Sequence, residues 1–424
     1  METSHPHWEE RREPRTAPFD LRTPYEVDYA RIVHSATFRR LQGKLQIHDG
    51  AQDFHRNRLT HSYEVAQISL GIAQRLRHHE HPEIKNLISD PSIFQTIGLI
   101  HDLGHPPAGH AGEEALNAMM READHKGDIG FEGNAQTLRI IAHLEQSSST
   151  AGANLTRRTM LGALKYPIAY SKAAKGPTPP PILGVAGVIT VDHRHEPPKC
   201  YYDRDDAVVS WLIDAMGEDA PIVRNERRPS FDAQVMNIAD DISYAIADLE
   251  DALSHHMIDR AKLEAVLGKY EPVIVEHVRM TMRQPTPIVD DLMNGGRTRK
   301  MAIGTLINYA LYSIMATHDA RFTDPLYAWS ISLRPPAEEL ISDLKRLTYQ
   351  EVILNHRIQR PRRRMQKMIV QATEALFNSP RTLLPPDKYQ SYKEQGEDRR
   401  LLCDYIAGMT DRYLTQYHHE IFGN

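Results

Sequence analysis

Four residues of metal-ligand type stand out in this chain: His61, the adjacent pair His101 and Asp102, and Asp240. The pair ends an apolar segment of helical pattern, and the helix-terminating Gly104 follows two residues after Asp102. Because adjacent side chains of a helix point about 100° apart, both can reach one ion only beside the helix end. A His/Asp donor set suits a hard to borderline divalent cation, with open positions for water or phosphate.

A second group of titratable residues follows the pair in a short segment rich in glycine and proline: His105, His110 and Glu113. Histidine titrates near neutral pH, and a carboxylate beside it would orient and charge the ring. His110 with Glu113 therefore makes a sensible acid or base for phosphoryl chemistry. An exposed loop with solvated histidines is the alternative interpretation.

Each candidate ligand also has an ordinary structural interpretation. His61 near a helix start could be a capping or surface residue, and Asp240 could belong to a core salt bridge. Their joint occurrence with a His-Asp pair favours one coordination sphere instead. Asp240, Tyr244 and Asp248 recur at four-residue intervals, which predicts one polar stripe on a strongly amphipathic helix over 231–255.

Basic side chains precede the first candidate ligand and recur in the C-terminal third. Beside a metal site they would suit phosphate oxygens, and without one they would be solvated helix faces. The run from Arg360 to Arg364 could contact a phosphate, a neighbouring subunit or nucleic acid, although a solvated surface is the simpler interpretation of an isolated run. The basic side chains that precede His61 are Arg39, Arg40, Lys44, Arg56 and Arg58.

The amino-acid composition limits the classes to which the protein can belong. The chain has 424 residues, of which 41% are hydrophobic, and a formal net charge of -5, so it can bury a large core without a general attraction to nucleic acid or anionic membranes. Two cysteines in unrelated contexts fit a reducing cytoplasm. Without an apolar run near 18 residues, we expect a cytoplasmic protein that does not enter a membrane. The sequence also lacks a Walker-type P-loop, a dinucleotide-binding glycine motif and paired CxxC motifs.

Helical periodicity dominates the chain and predicts a mainly α fold with one small β-hairpin near residues 43–55. We predict a mobile N-terminal arm over 1–22 and a single large helical body over 23–424. Within that body we expect a core over about 55–255 and a C-terminal helical part over about 256–424. The predicted helices cover 23–41, 60–76, 92–100, 113–123, 131–144, 231–255, 257–282, 299–317, 336–354, 361–377 and 395–418.

The chain resembles the HD-domain superfamily of metal-dependent phosphohydrolases and, within it, the bacterial deoxyguanosine triphosphate triphosphohydrolase-like family. The His-Asp pair alone is a weak signal, whereas the extended set of matching segments is specific and covers nearly the whole chain. In the motif region only, the chain is also similar to the mammalian SAM- and HD-domain dNTP hydrolase. The matching segments are 38–46, 57–62, 101–114, 131–136, 154–156, 165–167, 239–248, 383–386 and 404–411.

The resemblance implies roles for individual residues and an HD-domain helical bundle. His110 matches a catalytic residue with Glu113 as its partner, and His105 assists them. Four positions match residues that contact the deoxyribose and α-phosphate of the substrate: Gln46, Arg58, Tyr244 and Asp248. The implied metal ligands, for Mg, Mn, Fe, Co, Ni or Zn, are His61, His101, Asp102 and Asp240.

The resemblance implies the reaction of a deoxynucleoside triphosphate with water to give a deoxynucleoside and inorganic triphosphate. It also implies a homo-oligomer, such as a tetramer or hexamer, and makes single-stranded nucleic acid a candidate partner. One alternative is an HD phosphohydrolase acting on a nucleoside monophosphate, a cyclic dinucleotide or an alarmone. The other is a regulator that binds nucleotide or single strands without turnover.

Overall fold

The computed structural model describes residues 6–14, 20–45, 56–122, 130–148, 150–174, 191, 193–280 and 286–423. These residues form a mainly α structure that includes one two-stranded antiparallel sheet, as the periodicity predicts. Among the described helices, none combines the length and the apolar character needed to cross a lipid bilayer.

The N-terminal part contains three short helices: α1 (Pro6–Glu9), α2 (Pro24–Val33) and α3 (Ala36–Arg40). Thr23 and Glu26 form the capping box that the sequence predicts at the start of α2. The prediction of one helix from 23 to 41 is wrong, because Ser35 adopts an extended conformation and its Oγ accepts a hydrogen bond from the Phe38 amide at 3.0 Å.

Residues 6–14, which we predicted as part of a mobile arm, pack against the helical body. Trp8 is buried, and its indole nitrogen donates a hydrogen bond to Asp324 at 3.1 Å. Arg11 pairs with the buried Asp28 at 2.6 Å. The division of the chain at residue 22 and near residue 255 stays a prediction.

The middle of the chain builds the helices that carry the candidate ligands. Helices α4, α6 and α13 pack against one another, and their inward faces belong to the larger of two buried apolar clusters. The helices of this part are α4 (Arg58–Leu76), α5 (Pro82–Leu87), α6 (Ser92–Ile100), α7 (His110–Glu122), α8 (Gly133–Arg139, continued by a π-helical turn), α9 (Arg157–Ala163), α10 (Tyr170–Ala173), α11 (Asp206–Asp214), α12 (Ala220–Glu226) and α13 (Phe231–Ser254).

The rest of the chain is also helical, with the sheet in its middle. Helices α20, α23 and α24 pack with α7 around the second apolar cluster. The elements are α14 (Arg260–Leu267), α15 (Glu271–Met280), α16 (Ile288–Asn294), α17 (Gly296–Tyr312), β1 (Ile314–His318), α18 (Pro325–Ala328), β2 (Trp329–Leu333), α19 (Pro335–Thr348, continued by a π-helical turn), α20 (His356–Asn378), α21 (Pro380–Leu383), α22 (Pro386–Glu394), α23 (Arg399–Ala407) and α24 (Asp411–Phe422).

Several predicted boundaries in this part are wrong. The predicted helices over 257–282 and 395–418 are each two helices, and the end of the one over 299–317 is strand β1. Strands β1 and β2 pair antiparallel, with Ile314 opposite Leu333, and neither strand is among the predicted elements. The hairpin predicted near 43–55 lies mostly outside the described residues, which retain an isolated antiparallel bridge between Leu45 and Asn57.

Candidate active site

Three packed helices bring the four candidate metal ligands together. His61 lies in the first turn of α4, which Asn57 caps by accepting a hydrogen bond from the Thr60 amide at 2.9 Å. His101 and Asp102 directly follow the last residue of α6, as the helix-end argument requires. Asp240 lies in the middle of α13.

The ligand atoms of these side chains converge on one point. Those of His61, His101 and Asp240 lie within 4.8 Å of one another. The Nε2 atoms of His61 and His101 lie 3.3 Å and 3.7 Å from Oδ1 of Asp240. Asp102 extends the group, since its Oδ1 lies 3.4 Å from Nε2 of His101. His61, His101 and Asp240 thus meet at one point, Asp102 adjoins it beside His101, and the binding of one ion by all four stays a prediction.

The hydrogen bonds around His101 fit a cation at that point. Its Nδ1 lies 2.7 Å from the Gly98 carbonyl oxygen, an acceptor, so Nδ1 carries the proton and donates it. This leaves the buried Nε2 as a lone-pair atom, and within the described residues it has no hydrogen-bond partner. A backbone-oriented imidazole with a free, inward-facing nitrogen is the usual arrangement of a metal-binding histidine.

Neighbouring basic side chains keep the two carboxyl groups of the candidate metal site ionised. Burial would raise the pKa of Asp102, but His101, Arg58 and His105 together hold that pKa well below its usual range. Burial acts on Asp240 in the same sense, and here Lys165, His101 and His61 lower the pKa. Both carboxyl groups are therefore ionised, which is the state that binds a metal.

The second predicted group, His105, His110 and Glu113, also comes together. The Glu113 carboxylate is buried and contacts Nδ1 of His105, while Nδ1 of His110 lies 3.4 Å from its other oxygen. Nε2 of His105 lies 3.1 Å from Oδ1 of Asp102, which links this group to the candidate metal site. The His110 side chain is 63% exposed, against 12% for His105, so His110 is the more accessible of the two imidazoles.

The backbone at Gly133 lies close to the side chains of His105 and Glu113. A Cβ atom on Gly133, at the start of α8, would lie 2.4 Å from Oε1 of Glu113 and 3.1 Å from Nδ1 of His105. Only a residue without a side chain therefore leaves room for the His105–Glu113 contact at this place.

Two lysines that are not among the predicted site residues also lie beside these groups. Nζ of Lys165 lies 3.4 Å from Oδ2 of Asp240. Nζ of Lys199 lies 3.0 Å from Glu132 and 3.9 Å from Glu113. Burial would lower the pKa of Lys199, but the charges of Glu113 and Glu132 raise it, so the ammonium stays charged. No local pattern marks Lys199, whereas Lys165 belongs to a segment, 165–167, that carries the family resemblance.

Both groups open onto one cavity of about 1350 Å³. Its wall includes the candidate ligands, His105, His110, Glu113 and a large number of basic side chains. The basic residues that line it are Arg58, Lys165, Lys199, Lys345, Arg357, Arg360, Arg362, Arg363, Arg364 and Arg412. Such a wall attracts a polyanionic ligand to the candidate metal site.

The four predicted substrate contacts differ in position. Arg58 and Tyr244 line the cavity, and Arg58 also donates a hydrogen bond to Oδ2 of Asp102 at 2.7 Å. Asp248 does not line it: this side chain is buried, both oxygens lack a hydrogen-bond partner among the described residues, and burial raises its pKa to about 8. Gln46 lies outside the described residues.

The chain is similar to known proteins over nearly its whole length. The HD domain matches residues 58–161, and a phosphohydrolase-associated domain matches residues 331–420. A deoxyguanosinetriphosphate triphosphohydrolase-like protein 1 of Vibrio cholerae is 38% identical over 95% of this chain and 94% of its own length. Triphosphohydrolase-like proteins of Aliivibrio fischeri and Shewanella loihica are each 36% identical, over 99% and 98% of this chain and 98% and 96% of their own lengths. The chain therefore belongs to the HD-domain superfamily and, within it, to the deoxyguanosinetriphosphate triphosphohydrolase-like family.

Proposed function

We propose that this protein is a metal-dependent hydrolase that converts deoxynucleoside triphosphates, either dGTP or a broader set, into deoxynucleoside and inorganic triphosphate. The observation that carries the proposal is the opening of the His/Asp group and the His105–His110–Glu113 group onto one basic cavity. The names of the relatives support the same substrate class.

The residues present fit a divalent ion, which His61, His101, Asp102 and Asp240 would hold. Such an ion would polarise the α-phosphate and lower the pKa of a bound water. The donor set of two imidazoles and two carboxylates accepts Mg, Mn, Fe, Co, Ni or Zn.

The chain itself supplies the proton transfer. Water adds to the α-phosphorus, the bond from phosphorus to the 5′ oxygen breaks, and that oxygen needs a proton to leave as the deoxynucleoside. His110, the exposed imidazole beside Glu113, delivers it. Glu113 orients both imidazoles, and His105 connects this carboxylate to Asp102.

Basic side chains of the cavity wall hold the triphosphate. Two contacts support a role for Arg58 at the α-phosphate. Its guanidinium reaches Asp102, and it lies against the backbone of Gly109, where a Cβ atom would come within 2.4 Å of Nη2. The lysines and the α20 arginines face the same space and balance the charge of the remaining phosphates.

Tyr244 supplies a basis for selecting deoxyribose. It lies one helical turn from Asp240 on α13 and lines the cavity, with Nζ of Lys345 6.0 Å from its ring centroid. An aromatic ring beneath C2′ of the sugar leaves no room for a 2′-hydroxyl. Deoxynucleotides are therefore the expected substrates.

Product analysis tests the proposal. The full chain is incubated with each dNTP and NTP in the presence of Mg, Mn, Fe, Co, Ni or Zn, and the products are separated by anion exchange. Intact triphosphate with the free deoxynucleoside is the expected result. Pyrophosphate or orthophosphate as the first product would contradict it and favour another HD phosphohydrolase activity. Unchanged activity in a His61→Ala chain that has lost its metal would contradict the role of the metal site.

We also propose that the protein is cytoplasmic and acts as a homo-oligomer, a tetramer or hexamer, that could bind single-stranded nucleic acid. The family and the Arg- and Tyr-rich C-terminal third support assembly. Light scattering should give a multiple of 48.4 kDa, and a single species at the monomer mass would contradict assembly.

A further inference from the structure

The loop that carries the two histidines has an unusual backbone. Ala108 and Gly109 follow each other with φ of 61° and 55°, both in the left-handed region. For alanine this conformation costs about 1 kcal/mol or more, because Cβ approaches the following carbonyl oxygen. A strained residue of this kind persists where the surrounding contacts fix it, and here it lies between His105 and His110.

Asp411, the first residue of α24, fixes one side of this loop. One oxygen of its carboxylate accepts a hydrogen bond from the Ala108 amide at 2.9 Å, and the other accepts one from the Leu45 amide at 2.8 Å. The strained residue is thus tied to the C-terminal helices and to the segment before α4.

Lys44 fixes the other side of the loop. Its side chain is buried, and Nζ donates one hydrogen bond to the His105 carbonyl oxygen at 2.5 Å and another to that of Ala407 at 3.0 Å. A buried amino group is costly unless such acceptors receive its hydrogen atoms. Next to it, a Cβ atom on Gly43 would lie 2.7 Å from Cγ2 of Thr410, so the two segments meet without a gap.

We propose that Lys44 and Asp411 are positioning residues that hold the 105–110 loop in the conformation in which His105 and His110 reach Glu113. Residues from two segments outside the HD match, 43–45 and 407–411, thereby complete the active site. Segment 407–411 lies in the phosphohydrolase-associated match. The reaction that the loop serves is the proposed function, on which this inference rests.

Hydrogen exchange of the full chain tests the positioning without any substrate. The variant is Asp411→Ala, and its matched control is Asp219→Ala. Asp219 is also buried and accepts hydrogen bonds from two backbone amides, those of Thr323 and Asp324, but it does not line the cavity. We expect amides of peptides over 103–113 to exchange at least 10-fold faster in Asp411→Ala and at the wild-type rate in Asp219→Ala. Unchanged exchange over 103–113 in Asp411→Ala would overturn the proposal.

Kinetics with dGTP separate positioning from a general loss of stability. All variants are assayed at a temperature at which each is fully folded. There, kcat should fall at least 30-fold in Asp411→Ala and in Lys44→Met, while KM changes less than 3-fold. Asp219→Ala should keep the wild-type kcat and KM. Asp411→Asn, which keeps one acceptor oxygen, should lie between Asp411→Ala and the wild type. Equal loss of kcat in Asp411→Ala and Asp219→Ala, or a rise in KM alone, would overturn the proposal. If the wild type does not release triphosphate, the proposed function fails, while the exchange experiment still decides the positioning.

Discussion

Arg58 donates a hydrogen bond from Nη1 to Oδ2 of Asp102 at 2.7 Å, and both side chains are buried. The family resemblance implies that Arg58 contacts the α-phosphate and that Asp102 is a metal ligand. Their pairing joins the two roles, because the arginine that would hold the phosphate also orients the carboxylate that would hold the ion. The phosphate and the ion are therefore expected at adjacent positions.

Replacing Arg58 should reduce turnover without removing the metal. In Arg58→Met, Asp102 keeps its place after α6 but loses the hydrogen bond that orients it, and the α-phosphate loses a cation. We expect kcat to fall about 100-fold or more, in the range seen when one preorganised donor is removed, with the metal content of the purified chain unchanged. Arg56→Met is the control, since Arg56 pairs with Glu64 and Asp251 and does not line the cavity. Activity above a third of wild type in Arg58→Met would contradict this assignment.

His110 should matter for turnover and little for stability. Because its side chain is 63% exposed, His110→Ala should leave the melting temperature within about 2 °C of wild type. If it delivers the proton, kcat should fall about 100- to 10,000-fold. His78→Ala, another exposed histidine, should change neither quantity. A His110→Ala enzyme with wild-type kcat would remove this residue from the mechanism.

Arg362 tests the role of the arginines on α20. It lines the cavity, and its charge acts on both Glu114 and Tyr244. We expect Arg362→Gln to raise KM for dGTP about 10-fold, with kcat within 3-fold, and to weaken the dependence of KM on salt. Arg381→Gln removes an exposed arginine on α21 and should leave KM unchanged. Equal KM values for the two variants would show that the α20 arginines are only a solvated surface.

Asp248 should make the stability of the metal-free chain depend on pH. Burial raises its pKa to about 8, above the unfolded value of about 3.9. The folded chain therefore keeps a proton that the unfolded chain has lost, so stability falls as pH rises between these values, by up to about 1.4 kcal/mol per pH unit. The stability stops falling once the pH exceeds the pKa of Asp248 in the folded chain.

Asp248→Asn should lack this contribution. The free energy of unfolding is measured with urea, in the presence of a chelator, at pH 5.5 and pH 8. From pH 5.5 to pH 8, the free energy of unfolding of Asp248→Asn should rise relative to that of the wild type by about 2 kcal/mol or more. Asp214→Asn replaces an exposed carboxylate and should show no such gain. Parallel stabilities of wild type and Asp248→Asn would contradict an unpaired buried carboxyl group.

The polar stripe of α13 shows how much of a helix face can be predicted from sequence periodicity alone. The four-residue interval predicts a polar stripe of Asp240, Tyr244 and Asp248, and of these Asp240 and Tyr244 line the cavity. Asp248 lies a further turn along, about 80° around the helix from Asp240 and about 12 Å along its axis, so its side chain points into the core instead. Residues that recur every four positions drift around a helix of 3.6 residues per turn, so the third member of the stripe lies on a different face from the first.

Other features depend on contacts between distant segments and could not be predicted. Strands β1 and β2 have only five residues each. The local sequence from Ile314 to His318 is equally compatible with the end of a helix, and it is the pairing with β2 that makes this segment a strand. Lys199 lies in a polar stretch that shows no periodicity, and its position beside Glu132 and Glu113 follows from the fold alone. The meeting of His61, His101 and Asp240 agrees with the expectation from residue type and helix position, while their role as metal ligands follows from the family resemblance and stays a prediction.

The most direct test of the central claim measures metal content and product in the same preparations. The wild-type chain, His61→Ala and Asp240→Ala are each loaded with Mn, desalted, assayed for metal by mass spectrometry and then incubated with dGTP in ¹⁸O-labelled water. We predict one tightly bound ion per wild-type chain and release of triphosphate that carries the label, with both lost in the two variants. Release of pyrophosphate, label in the deoxynucleoside, or full turnover by a chain without metal would contradict the account.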